Sequence, residues 1–187
     1  VLFRSEEETE DSSPTSSPEG RRMICHVAAR SNWTLRSADI KQAFLQGIET
    51  KRNVYCKPPP EAQLRKKTNL WKFRKEVYGF RGAPRAWYEA LKQELVEQGL
   101  RMCVTDRALF SLVGKNGELN GVLCTHVDDL LYAGDKDMDA LIERVRKKYP
   151  FGAFGSARDK DDFVYCGWKY TQRSEEHTSE LQSHSDL

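Results

Sequence analysis

The chain has 187 residues, 39% of them hydrophobic, and a formal net charge of +2 from 30 basic and 28 acidic side chains. This length suits one domain rather than several. No stretch approaches the ~20 apolar residues of a membrane span and no basic-then-apolar signal peptide is visible, so we expect neither a membrane protein nor a secreted one.

The charges are unevenly distributed along the chain. Residues 1–20 contain one arginine against six acidic residues, a net of −5, and residues 171–187 contain one against four, a net of −3. The middle, residues 21–170, therefore carries +10. A basic core of this kind favours a phosphate-backbone partner such as nucleic acid, although a basic surface can also serve solubility alone.

Both ends are polar and aperiodic. Residues 1–20 are acidic and rich in Ser and Pro, and residues 171–187 resemble translated adapter sequence, which we interpret as a sequence artefact. Segments of this composition bury too little apolar surface to offset the entropy of ordering. We therefore predict two disordered tails, neither necessarily native, around one domain at 21–170.

The five cysteines are scattered along the chain without a CxxC pair. This spacing argues against a zinc site or a disulfide framework. It indicates reduced, mostly buried thiols in an intracellular protein.

Five elements are predicted in the first half of the domain. Apolar residues at helical spacing predict a helix over 22–30, and a strand is predicted over 32–40. A tight apolar turn follows over 43–45. A short strand over 54–57 is stopped by three prolines, and alternation of apolar and basic residues predicts a half-buried strand over 70–75.

The second helix is predicted to open at Pro84, because proline suits a first helical turn, and to end at Gly99. Strands are predicted over 101–104 and 108–113, with a turn over 114–117 leading into the next strand. The buried stripe of the helix is predicted to consist of Trp87, Tyr88, Leu91, Leu95 and Val96.

A third helix, capped by Asp137 or Asp139, is predicted to run toward Lys148, and a last strand or small hairpin is predicted over 163–170. The order of these elements predicts an α+β fold, in which helices pack on one face of an antiparallel sheet.

Two adjacent carboxylates lie within the most apolar region of the chain. Residues 122–134 are rich in Val, Leu and Tyr on both sides of Asp128 and Asp129, which predicts a strand, a tight turn and a second strand. Neighbouring negative charges are costly there unless a divalent cation such as Mg²⁺ neutralises them. The alternative is an ordinary polar hairpin turn, since Asp favours turns.

Asp39 supplies a third carboxylate, near the end of a predicted strand. If it faces the hairpin across a sheet, the three carboxylates could hold two Mg²⁺ ions ~4 Å apart, the arrangement of polymerases and nucleases. On its own, Asp39 is better explained as a strand-end or capping residue.

Five segments resemble, in order and spacing, the motifs of Ty1/copia-type retrotransposon reverse transcriptases. Residues 37–47 resemble the first catalytic motif, 54–59 the segment of the form VYMxxPPG, and 77–88 the LYGLKQAPRAWY stretch. Residues 126–129 resemble the YVDD box, and 165–168 the FLG segment that closes the palm. The five together are far more specific than any one of them.

This resemblance implies a reverse-transcriptase palm with truncated fingers and no thumb. It implies an RNA-directed DNA polymerase that transfers a nucleotide from a dNTP to a primer 3′-OH. Asp39, Asp128 and Asp129 match the metal-binding catalytic carboxylates, with the Ile40 carbonyl as a further ligand. The implied cofactor is two Mg²⁺ ions, with Mn²⁺ as the alternative.

Other residues match substrate-binding positions of the family. Phe44 matches the bulky residue beneath the incoming sugar, where a ring would clash with a 2′-OH, and its alternative interpretation is an ordinary core phenylalanine. The further nucleotide contacts implied are Tyr78, Gly79, Gly82 and His126. The primer or template contacts implied are Arg81, Arg85, Tyr165, Gly167, Trp168 and Lys169.

Two positions depart from the family pattern. His126 stands where Tyr or Phe is usual, and Gly82 where Gln is usual, but neither departure removes a metal ligand. The partners implied are an RNA template, a DNA primer, a dNTP and the remaining Pol domains, RNase H and integrase. Family analogy implies an intracellular protein, in cytoplasmic particles and then in the nucleus.

Two other functions are open at this point. A catalytically incompetent remnant would act at most as a basic nucleic-acid-binding module, and truncated fingers favour that behaviour. A two-metal nuclease would use the same carboxylates, but it does not explain Phe44 or the loop over 78–84.

Overall fold

The computed structural model describes residues 12–59, 61, 70–158 and 162–172. The helices in this part of the chain are α1 (Pro18–Arg30), α2 (Ala83–Glu97) and α3 (Lys136–Lys148), and a 3₁₀ turn spans Ala43–Gln46. The strands are β1 (Arg36–Ile40), β2 (Tyr55–Cys56), β3 (Trp71–Lys72), β4 (Leu100–Met102), β5 (Leu109–Val113), β6 (Leu119–His126), β7 (Asp129–Gly134), β8 (Phe151–Ser156), β9 (Asp162–Tyr165) and β10 (Trp168–Thr171).

Six strands form one antiparallel sheet in the order β4-β5-β6-β7-β1-β8. Two smaller antiparallel pairs, β2 with β3 and β9 with β10, lie outside it. This confirms the predicted α+β class with an antiparallel sheet, and the last element is a hairpin.

Both faces of the sheet are covered, so the prediction that helices pack on one face was wrong. Helices α2 and α3 pack on one face around Leu123 and Tyr132. Helix α1 and the β9–β10 pair pack on the other face around Cys124 and Leu131. The reason is that β6 and β7 are continuous buried runs rather than alternating ones, a pattern typical of strands covered on two sides.

Helix α1 begins inside the segment predicted to be disordered. The Ser17 hydroxyl accepts a hydrogen bond from the Gly20 amide at 2.9 Å and caps the helix. Before it, the Ser16 amide donates to the Thr125 carbonyl at 2.9 Å, and Thr15 forms a β-bridge with His126. The structure thus corrects the predicted tail at 12–20, where capping and backbone pairing order the chain. Residues 1–11 and 173–187 lie outside the described residues.

Helix α2 has nearly the predicted buried face. Trp87, Tyr88, Leu91 and Leu95 are buried, but Val96 is 49% exposed. One residue further along a helix turns the side chain by about 100°, which carries Val96 out of the stripe. Glu94 is buried in its place, where it pairs with Lys148 of α3.

Helix α3 is capped by Asp135 rather than by Asp137 or Asp139. The Asp135 carboxylate accepts hydrogen bonds from the amides of Asp137 at 2.9 Å and Met138 at 3.3 Å. Asp139 forms an ion pair with Arg36 of β1 at 2.5 Å instead. The acidic residues after the cap therefore stabilise the helix start and its contact with the sheet.

Strand β8 was not predicted, and β3 is shorter than predicted. β8 pairs with β1 at the edge of the sheet, and its exposed middle residues give no alternating apolar pattern. Within the predicted strand 70–75, only Trp71 and Lys72 form β3, and both are exposed rather than half-buried. Edge strands and short pairs depend on their partners more than on their own composition.

All five cysteines are free thiols, but only Cys124 is buried, so the prediction of mostly buried cysteines was wrong. The other four are partly exposed. Separately, a search of the described residues for a helix long and apolar enough to cross a membrane found none.

The corrected face of α2 can be tested by unfolding in urea. Leu91→Ala should lower the free energy of unfolding by about 3 kcal/mol, because it leaves a cavity in the core. Val96→Ala, five residues further along and on the exposed face, should change it by less than about 0.5 kcal/mol. Equal losses for the two variants would contradict this assignment of the face.

Candidate active site

The two aspartates of the central hairpin lie at its tip. Two residues, Val127 and Asp128, join β6 to β7, and His126 is paired opposite Asp129. Val127 has a φ of +59°, in the left-handed region that β-branched residues rarely adopt. Backbone strain of this kind costs on the order of 1–3 kcal/mol and persists where neighbouring contacts hold it.

Hydrogen bonds from two other elements hold this tip in place. The indole N–H of Trp87 donates to the Val127 carbonyl at 2.7 Å, and the Ile40 amide donates to the Asp128 carbonyl at 2.9 Å. The Trp87 ring is buried and packs edge-on against Tyr149, with ring centroids 5.1 Å apart. Helix α2 and strand β1 therefore both fix the position of the turn.

The register of β1 brings the third aspartate to the same place. Asp39 is paired opposite Asp129 across β1 and β7. On the other side of β1, a Cβ added to Gly152 would overlap the Asp39 carboxylate, so the glycine leaves room for it. The structure thus places the backbones of the three aspartates predicted from the sequence at one end of neighbouring strands, with the Ile40 amide bonded to the turn between them.

The electrostatics of the tip disfavour negative charge. Burial, followed by the charges of Asp128 and Asp39, raises the pKa of Asp129 to about 6. Carboxylate oxygens are the ligands that hard divalent cations prefer, and a bound cation would relieve this repulsion. Within the described residues, however, no group of three or more His, Cys, Asp or Glu side chains is arranged so that it could hold a metal ion.

His126 lies beside the carboxylates and is half-buried. Its Nδ1 is buried and has no hydrogen-bond partner among the described residues. Burial and the charge of Arg21 lower the pKa of His126, while Asp128 acts in the opposite direction, so the neutral imidazole is favoured. The ring lies edge-on to Tyr165, with centroids 6.5 Å apart.

Phe44 and Tyr78, two of the predicted nucleotide contacts, lie against each other. Phe44 is half-buried in the 3₁₀ turn after β1, and its ring centroid is 4.8 Å from that of Tyr78. Tyr78 is 58% exposed, so the pair faces solvent on one side. Gly79 follows with a φ of +88°, a conformation that favours glycine.

The next predicted contacts lie at the start of α2. Gly82 is the residue before the helix, and Arg81 is exposed beside it. Arg85 lies in the first helical turn, where it pairs with Glu89 at 2.8 Å and lies 5.7 Å from the centre of the Tyr88 ring. These arginines lie next to the Tyr78 loop.

Tyr165 is placed differently from its prediction as a primer contact. It is 2% exposed, and its hydroxyl lies 3.4 Å from the Ser16 hydroxyl and 3.6 Å from the Cys124 sulfur. The side chain therefore belongs to the core beneath His126 rather than to a surface that a primer could contact.

The other three predicted contacts on the β9–β10 hairpin are exposed, as a nucleic-acid contact requires. Gly167 occupies the two-residue turn with a φ of +76°. Trp168 is 65% exposed, and Lys169 pairs with Asp162 across the hairpin at 2.5 Å. The structure therefore leaves three of the four predicted contacts on this hairpin accessible.

Comparison with known proteins identifies the family. The model of the family described as reverse transcriptase (RNA-dependent DNA polymerase) matches residues 3–176. The chain belongs to the reverse transcriptase family.

Relatives of this reverse transcriptase chain are Pol polyproteins of retrotransposons. It is 31% identical to the retrovirus-related Pol polyprotein from transposon RE2 of Arabidopsis thaliana over 142 residues, 73% of the chain and 10% of the relative. The chain is 36% identical over 124 residues to the retrovirus-related Pol polyprotein from transposon RE1 of the same plant, and this alignment covers 66% of the chain and 8% of the relative. The chain is 30% identical over 127 residues to the transposon Ty1-NL2 Gag-Pol polyprotein of Saccharomyces cerevisiae, and this alignment covers 66% of the chain and 7% of the relative.

The family match supports the predicted Ty1/copia-type identity, and the chain is a partial reverse transcriptase domain of this type. It spans a tenth or less of the length of these curated relatives.

Some parts of the site were not found from the sequence. The hydrogen bond from Trp87 and the room left by Gly152 depend on tertiary packing and have no pattern of their own. The pairing of Thr15 with His126 was missed for a different reason, because Ser17 followed by Pro18 is a helix-start pattern that could have placed α1 correctly.

Asp129 predicts an unusual dependence of stability on pH. Its pKa of about 6 in the folded chain exceeds the ordinary value of 3.8. The contribution of this carboxyl to the free energy of unfolding is therefore largest below pH 3.8 and is lost as the pH rises through 6. At pH 8 in EDTA, Asp129→Asn should raise the free energy of unfolding by about 1 kcal/mol, after discounting for solvent exposure.

The gain from Asp129→Asn should shrink as pH falls below 6 and disappear below about pH 3, where the wild-type carboxyl is protonated in both states. Asp137→Asn, on an exposed aspartate of α3, is the matched control and should show no such gain. Urea unfolding at a series of pH values measures both, and a loss of stability on Asp129→Asn at pH 8 would contradict the repulsion.

Proposed function

We propose that this chain is the catalytic palm of an RNA-directed DNA polymerase of a copia-type retrotransposon. The observation that carries the proposal is the register that puts Asp39 opposite Asp129 at the tip of the hairpin holding Asp128. A polar turn would need no third carboxylate from another strand, whereas a two-metal site does.

The ligands of the metal ions would be the carboxylates of Asp39, Asp128 and Asp129 and the carbonyl of Ile40. The donor set suits Mg²⁺ or Mn²⁺ in its chemistry because it consists of oxygen atoms alone, although the described side chains are not gathered into a metal site. Burial, followed by the like charges of Asp128 and Asp39, raises the pKa of Asp129, and such ions would relieve that repulsion. When bound, two such ions supply charge neutralisation at the attacking hydroxyl and at the leaving pyrophosphate.

The chain's own residues would position the substrates. The Phe44–Tyr78 pair lies in the turn after β1 and in the loop before α2, so it can form one wall of a nucleotide pocket beside Asp39. A ring at Phe44 would exclude a 2′-OH and favour dNTP over rNTP. His126, neutral and next to the carboxylates, would lie near the primer terminus.

The charge of the middle of the chain supports a nucleic-acid substrate. Residues 21–170 carry a net charge of +10, and Arg81 in the loop before α2 and Trp168 and Lys169 on β10 are exposed. We propose an RNA template and a DNA primer as partners. Gly79, Gly82, Arg85 and Gly167 would contact the nucleotide or the nucleic acid through their backbone or side chains.

The wider setting is proposed from the relatives. Since these are Pol or Gag-Pol polyproteins, we propose that RNase H and integrase domains accompany this domain. Reverse transcription in cytoplasmic particles, followed by integration in the nucleus, is the corresponding location.

Primer extension tests the catalytic assignment. The whole chain, given an RNA template, a DNA primer, one dNTP and Mg²⁺, should add a nucleotide, and Asp128→Asn should reduce the rate at least about 100-fold because it removes a charged metal ligand. Asp137→Asn, on α3 away from the hairpin tip, should extend as the wild type does.

A second outcome of this assay favours the alternative function. If neither wild type nor Asp128→Asn extends the primer, while both bind the primer-template with strong salt dependence, the chain is a nucleic-acid-binding remnant. Cleavage of the template without extension would identify a nuclease and contradict the polymerase proposal.

The role of Phe44 is tested by sugar selection. Phe44→Ala should raise the incorporation of rNTP relative to dNTP by about tenfold or more, because it removes the ring that would meet a 2′-OH. Phe154→Ala, which truncates an exposed ring on the edge strand β8, is the control and should leave selection unchanged. An unchanged ratio in Phe44→Ala would assign that ring to packing alone.

A further inference from the structure

An ion pair between a partly buried arginine and a buried glutamate lies beside Gly82, in the loop that carries Tyr78. The Arg52 guanidinium donates from Nη2 to Oε1 of Glu76 at 2.7 Å, and the Thr50 hydroxyl donates to the same oxygen at 2.9 Å. The Glu76 side chain is 5% exposed and that of Arg52 19%. Charges this deep are costly to desolvate, so their geometry is more informative than a surface ion pair.

The ion pair joins the chain that follows Phe44 to the chain that precedes Tyr78. The Thr50 amide donates to the Arg74 carbonyl at 2.9 Å, and Glu49 forms a β-bridge with Lys75. Next to them, the Ile48 amide donates to the Ala86 carbonyl of α2 at 3.2 Å. Arg52 and Glu76 therefore complete a connection between two segments whose aromatic rings meet at the candidate site.

Glycine is required at position 82 by the space that this ion pair occupies, and not by the backbone conformation. Its φ of −80° and ψ of −9° are ordinary for any residue. A Cβ added there, however, would lie 2.8 Å from the Arg52 Nη2 and 3.4 Å from the Glu76 carboxyl carbon. The glycine leaves the room in which the guanidinium reaches Glu76, so residues 52, 76 and 82 depend on one another.

We propose that Arg52 and Glu76 are positioning residues that hold the loop over 78–82, and with it Tyr78, against Phe44. The inference rests on the proposed function, because it assigns the loop to the incoming nucleotide. Neither charged group needs to touch the substrate. Their effect is to fix the wall of the pocket through the segments on either side of it.

Substitution of Glu76 can test this role, because one oxygen of its carboxylate accepts both hydrogen bonds. Oε1 accepts both hydrogen bonds, whereas Oε2 is buried and has no partner among the described residues. Glu76→Gln keeps the size but removes the charge, and it can place an amide N–H₂ where the carboxylate had an oxygen without a hydrogen-bond partner. The ion pair is weakened without a change in volume.

Single-nucleotide extension at a range of dNTP concentrations is the first readout. Glu76→Gln should raise the KM for dNTP about tenfold, as for the loss of one charged hydrogen bond, with kcat within about twofold. Gly82→Ala, which displaces the guanidinium, should act in the same direction. In an Arg52→Met background, Gly82→Ala should raise the KM by a smaller factor than it does in the wild type, since the clashing group is gone.

The control is Glu143→Gln, which removes an exposed ion pair with Arg146 on α3. It should leave both kinetic constants unchanged. A lower melting temperature for Glu76→Gln with an unchanged KM would overturn the proposal, because a merely structural pair predicts that result. If Glu76→Gln does not fold, the Gly82→Ala and Arg52→Met cycle decides alone, and additive effects would overturn the proposal.

Hydrogen exchange separates this inference from the proposed function. The amides of Phe80 and Ala83 donate within the loop to Val77 and Phe80 carbonyls at 3.0 and 3.2 Å. They should exchange at least about tenfold faster in Glu76→Gln, while the Gln98 amide at the far end of α2 should not change. If the wild type does not extend a primer but these rates rise, the proposed function fails and the positioning role stands. Unchanged loop exchange overturns the positioning role.

Discussion

The pairing of Asp39 with Asp129 places like charges where they repel, and the surrounding structure is arranged to keep them there. Strand β1 supplies both the third carboxylate and, through the Ile40 amide, a hydrogen bond to the turn. Helix α2 supplies the second hold through Trp87. Because repulsion alone would drive the tip apart, these bonds and the packing behind them must exceed its cost. The strained Val127 is part of that cost.

The hairpin is also supported on its other side. β5 pairs with β6 only as far as Ala108, whose carbonyl accepts from the Thr125 amide. Beyond that point Thr15 and Ser16 take over the pairing, so the strand leading to His126 keeps a neighbour up to the turn. The segment before α1 is therefore part of the support of the site, although its composition resembles that of a tail.

How well an element could be predicted from the sequence depends on whether it is specified by neighbouring residues or by residues distant in the chain. The central hairpin and helix α2 were predicted well because local patterns specify them, namely an apolar run around Asp128 and a helical stripe ending at Gly99. Strand β8 and the burial of Tyr165 depend on partners distant in the chain. The gathering of three carboxylates was predicted, but only β1 pairing with β7 decides it, and no local pattern encodes that register.

Two glycines in one loop show the same limit at the scale of single residues. Gly79 has a φ of +88°, and a Cβ there would meet nothing within 4 Å, so its backbone explains it. Gly82 has an ordinary backbone and is explained only by the guanidinium of Arg52, which occupies the space of its missing side chain. A residue that departs from a family pattern can thus be matched to a distant partner, so its effect cannot be judged from the motif alone.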